Sequence, residues 1–226
     1  MAISDLMTGM YATIAVMAAL SHRDRTGEGQ YIDMALLDVQ VAMLANMNTN
    51  YLASGNPPHR WGNAHPNIVP YQTFPTADGH IIVAVGNDGQ YRRFVEAGGR
   101  PDLFADERFA TKGARLKNRA ALDRRVADAF ATKTMAEWDA LLSAAGAIYG
   151  PVRTWNEVFS DPEVVDNMIH ELDHPLAGKL RFVGNPIRMS DTPAEMRTAS
   201  PVLGQHTEEI LAATGWPTRK LQTAAE

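Results

Sequence analysis

The chain has 226 residues, 45% of them hydrophobic and 21% charged, with a net charge of −5 and no cysteine. That length holds one large domain or two modest ones with a real core, and the charge argues against a nucleic-acid or anionic-membrane surface. The lack of cysteine excludes disulfides, thiolate nucleophiles and Cys-ligated metals and fits a reducing cytoplasm.

The first element is an alanine-rich helix over residues 6–21, with Asp5 at its start. Met10, Ile14, Met17 and Ser21 form one stripe, while Ala12, Ala15, Ala18 and Ala19 keep other faces small, as in a helix packed on several sides within a larger assembly. Its longest apolar stretch, from Met10 to Leu20, is shorter than a bilayer span, and no basic segment precedes it, so a soluble cytoplasmic protein is expected. Gly27 and Gly29 end the helix, with His22, Arg23 and Arg25 near its C-terminal end. Residues 30–34 alternate like a strand, and residues 36–52 return to helical spacing. Residues 54–70 contain four prolines and two glycines, which excludes a continuous helix or central strand and leaves a long loop.

A hairpin over 71–75 and 80–85 follows, turning through Ala77-Asp78-Gly79. Helices are predicted over 90–97, 116–131 and 135–144, with Asn118 and Thr134 as caps and Thr134 with Glu137 as a capping box. The basic run from Lys112 to Arg125 reads as a solvated helix face. Beyond Gly146 come a turn, a short strand, a short helix near Trp155, a helix opened by Asp161-Pro162, strands near His174 and over 178–183, and a final helix over 205–213. Helices and strands alternate loosely, so the class is α/β or α+β.

Several residues invite chemistry. Asp5 is either an ordinary helix cap or a nucleophile whose charge the helix N-terminus favours. His65 is either a surface loop histidine or a substrate contact. Gly86-Asn87-Asp88-Gly89 lacks the lysine and spacing of a nucleotide loop and reads as a strand-to-helix turn. His22, His59, His80, His170, His174 and His206 show no metal-ligand spacing, and no metal is assigned. Trp61, Trp138, Trp155 and Trp216 read as core or interface aromatics, and Arg92 and Arg93 as exposed helix residues.

Sequence context sharpens the reading of Asp5. Asp5-Leu-x-Thr-Gly-x-Tyr-Ala, followed by Arg23-x-x-Thr-Gly-x-Gly-Gln-Tyr-x-Asp-x-x-Leu-x-Asp, resembles the central signature of class III CoA-transferases. Further blocks occur in that family's order: Arg60-Trp-Gly-Asn-Ala-His-Pro-Asn-Ile-Val-Pro-Tyr71, Thr76-Ala-Asp-Gly79 with Gly86-Asn87, Tyr149-Gly-Pro-Val152, and Pro201-x-Leu-Gly-Gln-His-Thr207. The Ile-Val-Pro-Tyr-Gln and Leu-Gly-Gln-His-Thr wording is similar to the glutarate-type members.

The resemblance implies that Asp5 is the catalytic nucleophile, passing CoA from a donor such as succinyl-CoA to a carboxylic or dicarboxylic acid through aspartyl anhydride and aspartyl-CoA thioester intermediates. It implies that Ala64, His65, Pro66 and Asn67 replace the family's glycine-rich loop over the active site. CoA or acyl-CoA is then a substrate, and no cofactor is permanently bound.

The family's fold is a Rossmann-like large domain interrupted by a small one. On that pattern residues 1–55 are central helices of the large domain, 56–155 a small α+β domain, and 156–226 a return linker with the C-terminal segment. The implied fold is thus the C-terminal part of an α/β two-domain transferase, with the N-terminal Rossmann half absent and most CoA-binding residues with it. The implied assembly is a homodimer of the complete enzyme, or a partner chain carrying that half. The alternatives are an α-methylacyl-CoA racemase of the same superfamily, working by acid–base chemistry, and an inactive fragment serving in assembly.

Overall fold

A computed structural model describes residues 1–216, which form two compact units, the first spanning Met1–Pro66 and the second beginning at Asn67.

The first unit is helical. α1 (Ile3–Thr26) runs for 24 residues, longer than the predicted span. It stops where Gly27 takes a left-handed φ of 79° and its N–H bonds back to Arg23 O, a conformation that glycine adopts without a Cβ penalty. No α1 residue is buried, and Met10, Ile14 and Met17 are each about 60% exposed. By length and composition alone α1 is long and apolar enough to cross a membrane, a test that the core helix of a soluble protein also passes, so the expectation drawn from the shorter apolar stretch is not overturned.

α2 (Leu36–Ala42) packs on α1 through Val39, and Ser4 Oγ donates to Gln40 Oε1. Residues 30–34, predicted as a strand, have no ladder. The sheets among the described residues lie in the second unit, and alternation without a partner strand leaves the backbone groups unpaired.

The single helix expected over 36–52 is broken at Met43 to Ala45, where Ala45 takes a φ of 44°. Asn48 Nδ2 donates to Val41 O, which also accepts from Leu44 N at the break. α3 (Asn46–Ser54) then runs to Gly55, another left-handed stop with a φ of 70°.

The second unit holds the core. β1 (Tyr71–Pro75), β2 (His80–Ala84) and β3 (Tyr149–Pro151) form an antiparallel sheet in that order, with Phe74 opposite Ile81 and Ile81 opposite Pro151. Strand alternation turns Ile81 and Val83 inward and Ile82 outward. In the hairpin turn Thr76 Oγ1 accepts from Gly79 N and donates to Asp78 Oδ1, and that same carboxylate oxygen accepts from Met135 N.

Against this sheet lie α4 (Asp88–Ala97), α5 (Asp102–Ala105), α6 (Lys112–Lys117), α7 (Arg119–Phe130) and α8 (Met135–Ala144). The three longer helices contribute apolar faces at helical spacing: Tyr91, Phe94 and Val95 on α4, Leu122, Val126 and Phe130 on α7, and Trp138 and Leu142 on α8. Burying them beneath strand residues such as Ile81 and Phe74 makes one continuous core.

Two expectations fail in this layer. Asn118 stands at the N-cap position of α7, as expected, but its side chain makes no cap bond there. Its Nδ2 donates to Ala114 O and Arg108 O, satisfying the carbonyl end of α6 and splitting the predicted 116–131 helix in two. The run from Lys112 to Arg125 is not a uniformly solvated face, because Arg115 within it is wholly buried.

The Thr134 capping box forms as predicted: Glu137 N donates to Thr134 Oγ1, and Thr134 N donates to Glu137 Oε2. Thr134→Ala is therefore expected to cost about 1 kcal/mol, read as a lower denaturant midpoint at unchanged slope.

Asp123 on α7 has a half-buried carboxyl group. Burial pushes it above the usual carboxylate range, against the opposing Arg119 charge and a hydrogen bond with Gln72. An acid raised in the folded state supports the fold below its unfolded value and loses that support as pH rises through the folded one. Asp123→Asn should therefore stabilise the protein at pH 7, and the gain should vanish in melts run below about pH 4.

The remaining described elements are α9 (Trp155–Ser160), α10 (Pro162–Met168), the hairpin of β4 (Ile169–His174) and β5 (Gly178–Val183), and α11 (Thr207–Thr214). A second capping box, Thr154 with Glu157, opens α9, and Asp161 caps α10 with Pro162 at its first position. Of the tryptophans, Trp138 is core, while Trp155 and Trp216 are exposed. Residues 217–226, part of the expected C-terminal segment, lie outside the described residues.

Candidate functional site

Asp5 sits in the first turn of α1, three positions after Ala2, which caps the helix without a side-chain bond. The cap reading is therefore corrected: helix geometry begins two residues earlier than Asp5, so its carboxylate lies alongside the first turn instead of before it. Among the described residues the carboxylate makes no hydrogen bond or ion pair, and the residue is exposed.

One turn on, at i+4 on the same face, is Gly9, where an added Cβ would meet nothing within 4 Å. Thr8, which would otherwise offer a hydroxyl beside this face, donates Oγ1 back to Ser4 O at 2.7 Å. The result is an accessible carboxylate over an open, side-chain-free patch of helix.

The second feature is the irregular segment after α3. The His59 ring lies 3.9 Å from the Trp61 ring, and Gly62, with a φ of 63°, turns the chain so that Ala64 N bonds Trp61 O at 3.1 Å. Ala64, His65 and Pro66 are half-buried and Asn67 is exposed. Ala64, His65 and Pro66 share the first unit with Asp5, while Asn67 opens the second. No hydrogen bond or ion pair among the described residues joins Asp5 to this segment.

The segment ends at the buried Val69, before a cis bond to Pro70. Val69 O accepts from Arg115 Nε at 2.9 Å, and Pro70 O accepts from Val85 N at 3.0 Å.

Arg115 is the residue that sequence reasoning missed. Besides Val69 O it reaches Phe109 O through Nη1 at 3.1 Å and Asp88 Oδ1 through Nη2 at 2.7 Å, with its guanidinium 4.3 Å from the Tyr91 ring centre. Its neighbours Lys112 and Lys117 belong to the same basic run, so nothing local marks it as the one turned inward.

Asp88 belongs to the Gly86–Gly89 turn, which is filled by the protein's own groups. Gly86 N donates to Gln90 Oε1 at 2.7 Å, and Gln90 N donates to Asn87 Oδ1 at 2.9 Å. The turn is a helix cap, as expected.

An open groove of about 670 Å³ in the second unit is lined by His80, Arg153, Glu157 and Asp161 among others. Its charges are already spent: Arg153 Nη1 meets Asp161 Oδ2 at 2.5 Å and holds that carboxyl below the usual range, while Glu157 is engaged by the Thr154 cap. Among the described residues no three His, Asp or Glu side chains converge as metal ligands.

Comparison with known proteins adds the following. Residues 1–207 match the model of CoA-transferase family III. The chain is similar to a succinate–glutarate CoA-transferase of Agrobacterium fabrum, 45% identical over 93% of this chain and 53% of that protein. It is 38% identical to the succinyl-CoA:glutarate CoA-transferase of Mus musculus over 93% of this chain and 48% of that one. Among solved structures, a CAIB/BAIF family protein from Brucella suis superposes with a TM-score of 0.74 at 42% identity, covering 94% of this chain and 55% of the other. A Mycobacterium tuberculosis protein gives a TM-score of 0.77 at 30% identity, over 92% and 55%. The chain thus spans about half the length of the curated relatives it matches.

Proposed function

The chain belongs to CoA-transferase family III, and from that premise we propose that it carries the nucleophile of an enzyme moving CoA between succinyl-CoA and a dicarboxylic acid such as glutarate. The observation that carries the reading is the 45% identity to a succinate–glutarate CoA-transferase, sustained over 93% of this chain. The Asp5 carboxylate beside Gly9, exposed and without a partner among the described residues, supports it, because a nucleophile must be reachable and an incoming thioester needs room.

In this reading Asp5 attacks the thioester carbonyl, forming an aspartyl–succinyl anhydride and expelling CoA thiolate. The thiolate attacks the aspartyl carbonyl, giving an aspartyl-CoA thioester and releasing succinate. The acceptor carboxylate attacks that thioester, forming a new anhydride and freeing the thiolate again. The thiolate then takes the acyl group of the acceptor, and Asp5 returns as carboxylate. Backbone N–H groups at the start of α1 oppose the charge that builds on the attacked carbonyl.

Anhydrides hydrolyse, so water must be kept out; Ala64, His65, Pro66 and Asn67 form the covering loop. CoA enters as a substrate and no resident cofactor is required.

The exposed apolar faces of α1 imply a covering partner in the complete cytoplasmic enzyme. That partner is a polypeptide equivalent to the half of the relatives that this chain does not match, with a homodimer of the whole. The division into residues 1–55, 56–155 and 156–226 belongs to the same proposal.

The test is glutaryl-CoA formation from succinyl-CoA and glutarate by the purified 226-residue chain, alone and mixed with the unmatched half of the Agrobacterium fabrum relative. Transfer is expected in the mixture only. Full turnover by the chain alone would remove the need for a partner. α-Carbon exchange without transfer in the mixture would replace the transferase reading by that of a racemase.

A further inference from the structure

We propose that Arg115 is a positioning residue that fixes the path of residues 67–69, by which the loop containing Ala64, His65, Pro66 and Asn67 enters the second unit. The inference rests on the reading of that loop as the cover over the aspartyl intermediates.

Between Val39 and Val69 no residue is buried, so Val69 is where the chain re-enters a core after the loop. Its carbonyl is held by Arg115 Nε, and the same guanidinium is oriented by Phe109 O, by Asp88 Oδ1 and by the face of Tyr91. A planar fork fixed at three corners cannot swing, so the Val69 carbonyl, two residues beyond Asn67, has a defined direction. Taking a guanidinium out of water is costly, and an apolar side chain of similar volume would fill the space with less penalty. What such a side chain would lack is a donor for Val69. The arrangement therefore ties the loop's exit to the first turn of α4 and to the segment before α6, both parts of the second unit.

Amide hydrogen exchange on the full chain separates this role from plain support of the core. Arg115→Lys keeps the charge and most of the volume but loses the fork. Exchange across residues 67–69 is expected to quicken about tenfold, the effect of losing a charge-assisted hydrogen bond, with the segment from Phe130 to Trp138 unchanged. Asp88→Asn, which leaves both carbonyl contacts in place, should keep residues 67–69 at the wild-type rate. Equal quickening of these residues and the core in Arg115→Lys, or no change at residues 67–69, would overturn the proposal. Should Arg115→Lys fail to fold, Arg115→Gln decides by the same comparison.

Succinyl-CoA added to the wild-type chain mixed with the unmatched half supplies an independent arm. Slower exchange over residues 64–69 supports the covering role. No slowing there, alongside quickening in Arg115→Lys, would overturn the reading of the loop as a cover while leaving Arg115 as the anchor of residues 67–69.

Discussion

Asp5→Ala is expected to reduce acyl transfer by the completed enzyme at least about a thousandfold while changing the stability of the chain by no more than about 0.5 kcal/mol. The two halves of this expectation have separate physical grounds. The carboxylate is exposed and, among the described residues, bonds to nothing, so its removal opens no cavity and strands no partner. What is lost structurally is only a favourable charge in the first turn of a helix.

What is lost chemically is the atom that forms the anhydride. Asp5→Asn sharpens the point, because the amide matches the shape of the carboxylate but is a far poorer nucleophile. Asp5→Glu keeps the group and misplaces it by one methylene, and an intermediate loss is expected, since misplacements of this size already cost orders of magnitude. Wild-type transfer rates in Asp5→Asn, measured as glutaryl-CoA release, would remove Asp5 from the mechanism.

The largest expected effect on stability lies in the second unit. Phe130 closes α7 and is almost wholly buried. Its ring is 4.7 Å from that of Trp138 in an edge-on arrangement, 5.6 Å from Phe74 on the sheet and 5.8 Å from Phe94 on α4. Its carbonyl also accepts from Trp138 Nε1 at 2.9 Å. The residue is therefore the point where sheet, α4, α7 and α8 meet. Phe130→Ala would leave a void bordered by three aromatic rings that cannot all collapse into it, at a cost of about 3–5 kcal/mol. That corresponds to a fall in Tm on the order of 10 °C for a domain of this size. Phe130→Leu should cost clearly less. A melt of Phe130→Ala within a degree or two of wild type would show that the cluster is not the keystone of the unit.

Local chemistry was readable from the sequence where it depends on neighbours in the chain. Thr134 with Glu137, Asp161 with Pro162, and the Asp78-Gly79 turn each act within a few residues, and each forms where expected. Helix interruptions were not readable. Neither Ala45 nor Asn118 is a glycine or proline, and the side-chain bonds that accompany the breaks, from Asn48 to Val41 O and from Asn118 to Ala114 O and Arg108 O, leave no mark in the local sequence. The alternation at residues 30–34 was real but had no partner strand, and pairing is not a local property.

Arg115 is the instructive miss at the candidate site. Its burial depends on Val69, Phe109 and Asp88, one of which lies 46 residues away in the chain. Asp5 stood out only through the family signature around it, since its residue type and position alone favoured a cap.

The uneven burial of the two units also decides what different experiments can see. Val39 is the one buried residue described between Met1 and Pro66, so heating the chain reports on the second unit almost alone. A library of substitutions ranked by melting would score α1 as tolerant, Met10, Ile14 and Met17 included. Ranked by survival of cells that need the reaction, the same positions should be among the least forgiving. The disagreement between the two rankings, plotted along α1, would trace the footprint of whatever normally covers it.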